Sequence, residues 1–304
     1  MKNLINNIEK NYADIKISSI KKIKEKSIND IFFINDKYVL KVFNVDNIKQ
    51  VVTSVKTQKV IHDTLKITPK VITNNLGVIT TEYENKIYCI QEFIQNQTSS
   101  MDIIEKVASE LYLMHEEFRK LDPKEYKFEK KEKNYCEIEK EITDSLQVIC
   151  EKELDREDKN YFKELIEKRY RLLKKYKCEY KPKDYQIIHG DVRLSNIICR
   201  NDIAYFIDFD FTSYGDLLFE IGSAAMLIAN FEPDEAKRFI EQYNSCAGLE
   251  KYDTNEIFTN LLSYYVQSNF PIRLIGKIDN KAIREIVEGR LNCLEFCNKV
   301  LESE

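Results

Sequence analysis

The sequence has no apolar run long enough to cross a bilayer. The opening Met1-Lys2-Asn3-Leu4-Ile5 has no apolar signal core, so a cytoplasmic protein with no membrane partner is expected. There is no basic excess: 47 Lys and Arg stand against 51 Asp and Glu, a net charge of −4, which argues against a nucleic-acid partner. The eight cysteines are scattered, with no Cys-x2-Cys pair and only three histidines. In a chain of 304 residues that pattern suggests neither a disulfide framework nor a zinc site. Cys293 and Cys297 would share a helix face, and buried free thiols are the expected reading. No internal repeat is visible, and no Ser/Pro/Gly-rich linker divides the chain. With 43% hydrophobic and 32% charged residues, the composition is that of a globular protein large enough for two lobes.

The informative stretch is Ile187-Ile188-His189-Gly190-Asp191, with Asn196 five residues after the aspartate, followed by Ile207-Asp208-Phe209-Asp210. Apolar, strand-like runs end in polar side chains, and a glycine permits close approach. Phosphoryl transfer needs a base that reaches an acceptor hydroxyl. It also needs an amide oxygen and a carboxylate for Mg²⁺, which takes few protein ligands and keeps contact with substrate phosphates. Asp191, Asn196 and Asp208 offer these chemistries in that order.

The combination of His-Gly-Asp-x4-Asn at 189–196, Ile-Asp-Phe-Asp at 207–210 and Gly215-Asp216 resembles the aminoglycoside phosphotransferase and choline kinase family. The resemblance implies an α+β, protein-kinase-like fold of two lobes. Residues 1–93 would be a small antiparallel-sheet lobe that binds nucleotide. Residues 94–304 would be a larger, mainly helical lobe with the catalytic loop and acceptor site. It further implies a small-molecule kinase using ATP or GTP with Mg²⁺.

Site residues follow by position. Asp191 would be the base, and Asn196 and Asp208 the metal ligands. Lys41, in the strand Tyr38–Phe43, would hold the α- and β-phosphates, although an edge-strand lysine facing solvent reads the same way. The family's helix Glu partner of this lysine has no counterpart, because residues 46–65 contain no Glu; Gln58 stands nearest by position. The resemblance implies that the Glu92 carbonyl and the Ile94 N–H would hold the adenine. Arg193 would either reach the transferring phosphoryl group or turn outward to a surface carboxylate. Asp210 would touch a second metal, touch substrate or cap a turn, and Asp216 would brace the catalytic loop.

Local signals fill in the rest. Residues 18–23, 30–34 and 38–43 read as strands, the last two joined by an Asn35-Asp36 turn. Residues 18–37 lack glycine, so Lys26 to Asp30 must make the phosphate-loop turn, with Ser27 and Asn29 as contacts. Asp46 would cap a helix running to Leu65. Strands follow within 71–94, and Ser99 or Ser100 would cap a helix ending near a packed His115. Residues 124–176 read as two solvated helices with salt-bridged faces, and Lys181-Pro182-Lys183 as a linker. Helices are expected over 234–245, 253–270 and 279–300. Glu220, Glu232, Asp234 and Glu235 would either line a groove for a cationic acceptor or simply start helices. Without Asp-Phe-Gly and Ala-Pro-Glu, a protein acceptor is disfavoured. The alternative is a non-catalytic, kinase-like structural protein of the spore-coat type.

Overall fold

A computed structural model describes the chain except for residues 1, 24–28, 45–46, 98–101, 126–131, 183, 249–251, 268–274, 276–279 and 304. The expectations for Lys26, Ser27, Asp46, Ser99, Ser100 and Lys183, and the ends of the last two helices at 268–270 and 279, fall outside the described residues. The described residues form two compact units, residues 1–127 with 187–214, and 128–186 with 215–304.

The first unit is built on an antiparallel sheet. Its strands are β1 (Ile20–Lys22), β2 (Asp30–Ile34), β3 (Tyr38–Phe43), β4 (Val71–Ile72), β5 (Thr81–Tyr83) and β6 (Lys86–Glu92). They lie in the order β1-β2-β3-β6-β4, with β5 also on β6. Asn35 and Asp36 both take φ of 53° in the β2–β3 turn, a conformation these two residue types tolerate. The register pairs Val39 with Gln91 and Lys41 with Cys89. Strand alternation then decides the faces. Leu40, Val42, Tyr88 and Ile90 pack with Leu4 and Ile8 of a first helix, α1 (Lys2–Asn11). Ile87 and Cys89 pack with Val51 and Val55 of α2 (Ile48–Leu65).

Helix α1 was not expected. Its apolar signal is only Leu4, Ile5 and Ile8 among Asn, Lys and Glu, of which Leu4 and Ile8 are buried, too sparse to stand out without the sheet that covers it. Burial of each such side chain contributes roughly 1.5–3 kcal/mol, as an upper figure. Asn47 caps α2, accepting from the Gln50 N–H at 3.1 Å, and the helix ends at Lys66 with φ of 61°. Asp102 caps α3 (Ile103–Phe118), accepting from the Ile104 N–H at 3.0 Å. His115 is fully buried on α3, as the packing expectation had it.

The second unit is helical: α4 (Tyr135–Glu151), α5 (Arg156–Tyr176), α6 (Leu217–Ile228), α7 (Pro233–Ala247), α8 (Thr254–Gln267) and α9 (Asn280–Glu302). Asn134 and Glu137 form a capping box at the start of α4, and Asp155 caps α5. These two helices are not merely solvated. Ile138, Ile142 and Ile149 on one, and Phe162, Ile166 and Leu173 on the other, are buried. Asp216 caps α6, accepting from the Leu218 N–H at 3.1 Å and from the Asn260 amide at 2.6 Å. Burial raises its carboxyl above the usual range. Glu220 is buried within α6, Glu232 precedes α7, and Glu235 pairs with Arg238 at 2.6 Å. Among the described residues no helix is long and apolar enough to cross a membrane. All eight cysteines are free, and Cys293 and Cys297 are buried as expected.

Candidate active site

The strand Tyr185–Ile188, β7, leads into His189-Gly190-Asp191. Gly190 has φ of 84°, and a Cβ there would lie 2.3 Å from the Phe211 carbonyl oxygen. Only glycine permits both the turn and this approach. His189 is fully buried, with its ring 4.5 Å from that of Phe209. Its Nδ1 accepts from the Asp191 N–H at 3.3 Å, so Nε2 carries the proton and donates to the Ile207 carbonyl at 3.1 Å. The 189–191 turn is thereby fastened to the 207–211 segment. We expect Gly190→Ala to destabilise the protein by at least about 2 kcal/mol, from left-handed strain plus overpacking. Urea denaturation monitored by circular dichroism measures it.

A hairpin brings the next two residues together. A single 3₁₀ turn, Leu194–Asn196, precedes β8 (Ile197–Arg200) and β9 (Ile203–Phe206). Asn201 and Asp202 form the two-residue turn with φ of 51° and 56°. Ile197 pairs with Phe206, and the Ile207 N–H donates to the Asn196 carbonyl at 3.0 Å. That register sets Asn196 opposite Ile207, one residue from Asp208. Asp208 itself has φ of 65° and ψ of 65°, an unusual conformation for a residue other than glycine.

Asn196 donates its Nδ2 to the Asp191 carbonyl at 2.9 Å and to Asp191 Oδ2 at 2.8 Å. Its Oδ1 has no donor among the described residues. Arg193 does not turn outward to a surface carboxylate. Its Nη2 lies 3.0 Å from Asp191 Oδ2, with half of its side chain still exposed.

Lys41 is buried, and its Nζ lies 2.6 Å from Asp208 Oδ1 and 2.7 Å from Asp210 Oδ1. Asn29 donates to Asp210 Oδ2 at 2.6 Å and accepts from the Asn44 N–H at 3.0 Å. Burial opposes charge on all three ionisable groups, and contacts outweigh it at Lys41 and Asp208 but not at Asp210. Burial works against the Lys41 charge, yet the two carboxylates outweigh it and hold the ammonium above its ordinary value. Burial likewise pushes Asp208 up, and Lys41 outweighs it, so Asp208 sits below the usual carboxylate range. Asp210 rises, first through burial and then through the neighbouring Asp208 charge, with Lys41 opposing. Two carboxylates sharing one ammonium leave the cluster with surplus negative charge and acceptor capacity.

The structure does not bring Gln58 to Lys41. Gln58 donates to the Pro69 carbonyl and accepts from Gln91 Nε2, both at 3.0 Å. The Lys41 ammonium meets Asp208 and Asp210 instead. Even so, Lys41, Gln58, Glu92, Ile94, Arg193, Asn196, Asp208 and Asp210 all line one pocket of about 610 Å³ within the first unit. Asp191 stands one hydrogen bond behind it, on Asn196. The Ile94 N–H has no acceptor among the described residues. Sequence reasoning assigned no role to Gln91, and none to Asn29 in holding Asp210. The only signal for Gln91 was a polar residue at the end of the apolar run Ile87–Ile90. Among the described residues no cluster of three His, Cys, Asp or Glu side chains is arranged as a metal site. The oxygen donors present are two carboxylates and one amide.

A model of the phosphotransferase enzyme family matches residues 19–254. The chain belongs to that family. The fold agrees. Spectinomycin phosphotransferase APH(9)-Ia, in complex with ADP and spectinomycin, superposes with a TM-score of 0.63 at 17% identity, covering 98% of this chain and 93% of that one. An amicoumacin kinase in complex with AMP-PNP and Ca²⁺ gives 0.64 at 12% identity, with 98% and 93% covered. Choline kinase from Cryptosporidium parvum Iowa II gives 0.58 at 14% identity, with 99% and 96% covered. No curated protein sequence matches the chain. The small antiparallel sheet and the larger helical part are thus those of the protein-kinase-like phosphotransferases.

Proposed function

We propose that this phosphotransferase moves the γ-phosphoryl group of a purine nucleoside triphosphate to a hydroxyl of a small molecule. One observation carries the reading. Lys41, Asn196, Asp208 and, one hydrogen bond away, Asp191 converge on a single pocket whose other end offers the backbone of 92–94. In this reading residues 1–93 are the nucleotide-binding lobe and 94–304 the lobe with the catalytic loop and acceptor site, a functional division that cuts across the two packing units.

Lys41 grips the α- and β-phosphates. The helix Glu that its position calls for is absent, and Asp208 and Asp210 fix the ammonium in its place. The Glu92 carbonyl and Ile94 N–H hold the base, and Gln58 acts from behind them. The free Asn196 Oδ1 and the Asp208 carboxylate suit Mg²⁺, a hard cation that takes few protein oxygens; when bound, it would neutralise charge on the phosphates. Asp191 orients the acceptor hydroxyl and takes its proton as the oxygen bonds to the γ-phosphorus. The bridging β–γ oxygen leaves with the nucleoside diphosphate. Asn196 and Arg193 both hold Asp191 Oδ2, which leaves Oδ1 for the acceptor. Arg193 is long and half exposed, so it also reaches toward the oxygens over which transition-state charge spreads.

The acceptor is a small hydroxyl-bearing molecule, and a cationic one suits the net charge of −4. The reaction belongs in the cytoplasm, where eight free cysteines stay reduced. The test is ³¹P NMR of the protein with MgATP and, separately, MgGTP, across amino alcohols, aminoglycosides and amino acids. Equal amounts of nucleoside diphosphate and a new phosphomonoester are expected with one acceptor class. Diphosphate formed only together with inorganic phosphate, in every case, would contradict the reading.

A further inference from the structure

We infer that the Gln58–Gln91 amide pair reads the purine at its 6-position and selects adenine over guanine. The inference rests on the nucleotide-site reading above and settles which nucleotide that site takes.

The Pro69 carbonyl can only accept, and Gln58 Nε2 lies 3.0 Å from it. Gln58 must therefore turn its Oε1 the other way, where it accepts from Gln91 Nε2 at 3.0 Å. The second donor contact of Gln91 Nε2 is Cys89 Sγ at 3.6 Å. Both donors of the Gln91 amide are thus directed into the protein. Its Oε1 has no donor among the described residues, and the side chain lines the pocket. A backbone carbonyl has dictated, through two amides, that the pocket sees an acceptor.

Register places this acceptor at the base end. Gln91 follows Cys89 by two residues on the same face of β6, and Cys89 pairs with Lys41. The strand levels of Gln91 and Lys41 are thus about 7 Å apart. Gln91 also directly precedes Glu92, whose carbonyl lies on the base-binding edge.

Adenine carries a 6-amino group with two donors. One meets the Glu92 carbonyl and the other Gln91 Oε1, while N1 accepts the Ile94 N–H. Guanine carries a 6-oxo group and an N1–H, which put acceptor against acceptor and donor against donor. Gln91 cannot accommodate guanine by turning its amide. Its Oε1 would then face Gln58 Oε1, and turning Gln58 as well would set that oxygen against the Pro69 carbonyl. One buried mismatch always remains, so discrimination of about tenfold or more is expected. Gln58 acts here as a positioning residue, and Gln91 as the specificity determinant.

Calorimetric titration of the full chain with ADP, GDP and IDP tests this, for wild type and for Gln58→Leu and Gln91→Met. The wild type should bind ADP at least about tenfold more tightly than GDP or IDP. In Gln58→Leu the Gln91 amide is free to turn, and in Gln91→Met no acceptor remains, so in both the ratio should fall several-fold toward parity. Gln58 is buried, and Gln91→Met, at a partly exposed position, serves as the check if Gln58→Leu does not fold. Equal wild-type affinities for ADP and GDP, or a ratio unmoved in the folded variants, would overturn this inference alone. Failure of all three nucleotides to bind would overturn the nucleotide-site reading itself, and this inference with it.

Discussion

Asp191→Asn is expected to lower kcat by roughly 10²–10⁴-fold, the range typical of a lost general base. The substitution keeps shape and hydrogen-bonding capacity at the position. The introduced amide oxygen would still accept from Asn196 Nδ2, which in the wild type donates to both the carbonyl and Oδ2 of Asp191. What disappears is the proton acceptor and the negative charge that Arg193 meets. ADP affinity should stay within about threefold of wild type, because in the proposed reading the residue serves the acceptor and not the nucleotide. Steady-state kinetics with the identified acceptor, together with ADP titration, separate the two effects. A variant with wild-type kcat would remove Asp191 from the chemistry.

Lys41→Met should have the second-largest effect, and it should reach stability as well as binding. The ammonium is the shared partner of Asp208 and Asp210. Without it, two carboxylates remain close together in a partly buried site, and because solvent screens them in part the cost should fall below the roughly 3–5 kcal/mol of a fully buried pair. MgATP binding should weaken to the limit of detection. The pH dependence of the loss has a definite sign. In the wild type Asp208 sits below its ordinary value. Its contribution is therefore present above the unfolded carboxylate range and is lost as pH falls through its folded pKa. Asp210 sits above its ordinary value, so its contribution is present below the unfolded range and is lost as pH rises through the folded pKa. In Lys41→Met the cation is gone and both carboxyls should rise, since like charges disfavour ionisation. The stability gap between variant and wild type should accordingly be widest near neutral pH and should narrow toward about pH 5. Urea denaturation of both proteins across that range measures it. A gap that widens on acidification would show that Lys41 is not neutralising these carboxylates.

The parts of the site written in local chemistry were legible in the sequence. Gly190 permits a close approach, and the spacing of Asp191, Asn196 and Asp208 marked the site, whereas the Asn201-Asp202 hairpin that sets Asn196 near Asp208 was not read. Lys41 was singled out by its position upstream of a helix and of the 189–210 motif, since a lone strand lysine reads equally as solvent-facing. What it meets was not legible. The helix position nearest to the absent Glu is Gln58, but Gln58 is committed to Pro69 and Gln91. The carboxylates that do meet Lys41 lie far away in sequence, and no helical or strand period connects them. Asn29 was placed in a phosphate loop by position, whereas it braces Asp210. Helix α1 was missed for the converse reason. Leu4 and Ile8, its two buried residues, mean little until the sheet face they cover is known. Arg193 shows the limit most plainly. Its two sequence readings were phosphoryl group or surface carboxylate, and the structure pairs it with Asp191.

The central claim is that the pocket around Lys41 and Asp208 binds nucleotide together with a divalent cation. Calorimetric titration of ATP, with and without Mg²⁺, into wild type and Asp208→Ala tests it most directly. The account predicts one ATP per chain in the wild type, binding tightened by Mg²⁺, and loss of that Mg²⁺ dependence in Asp208→Ala. Absence of ATP binding by the wild type, or the same Mg²⁺-dependent affinity in Asp208→Ala, would contradict it.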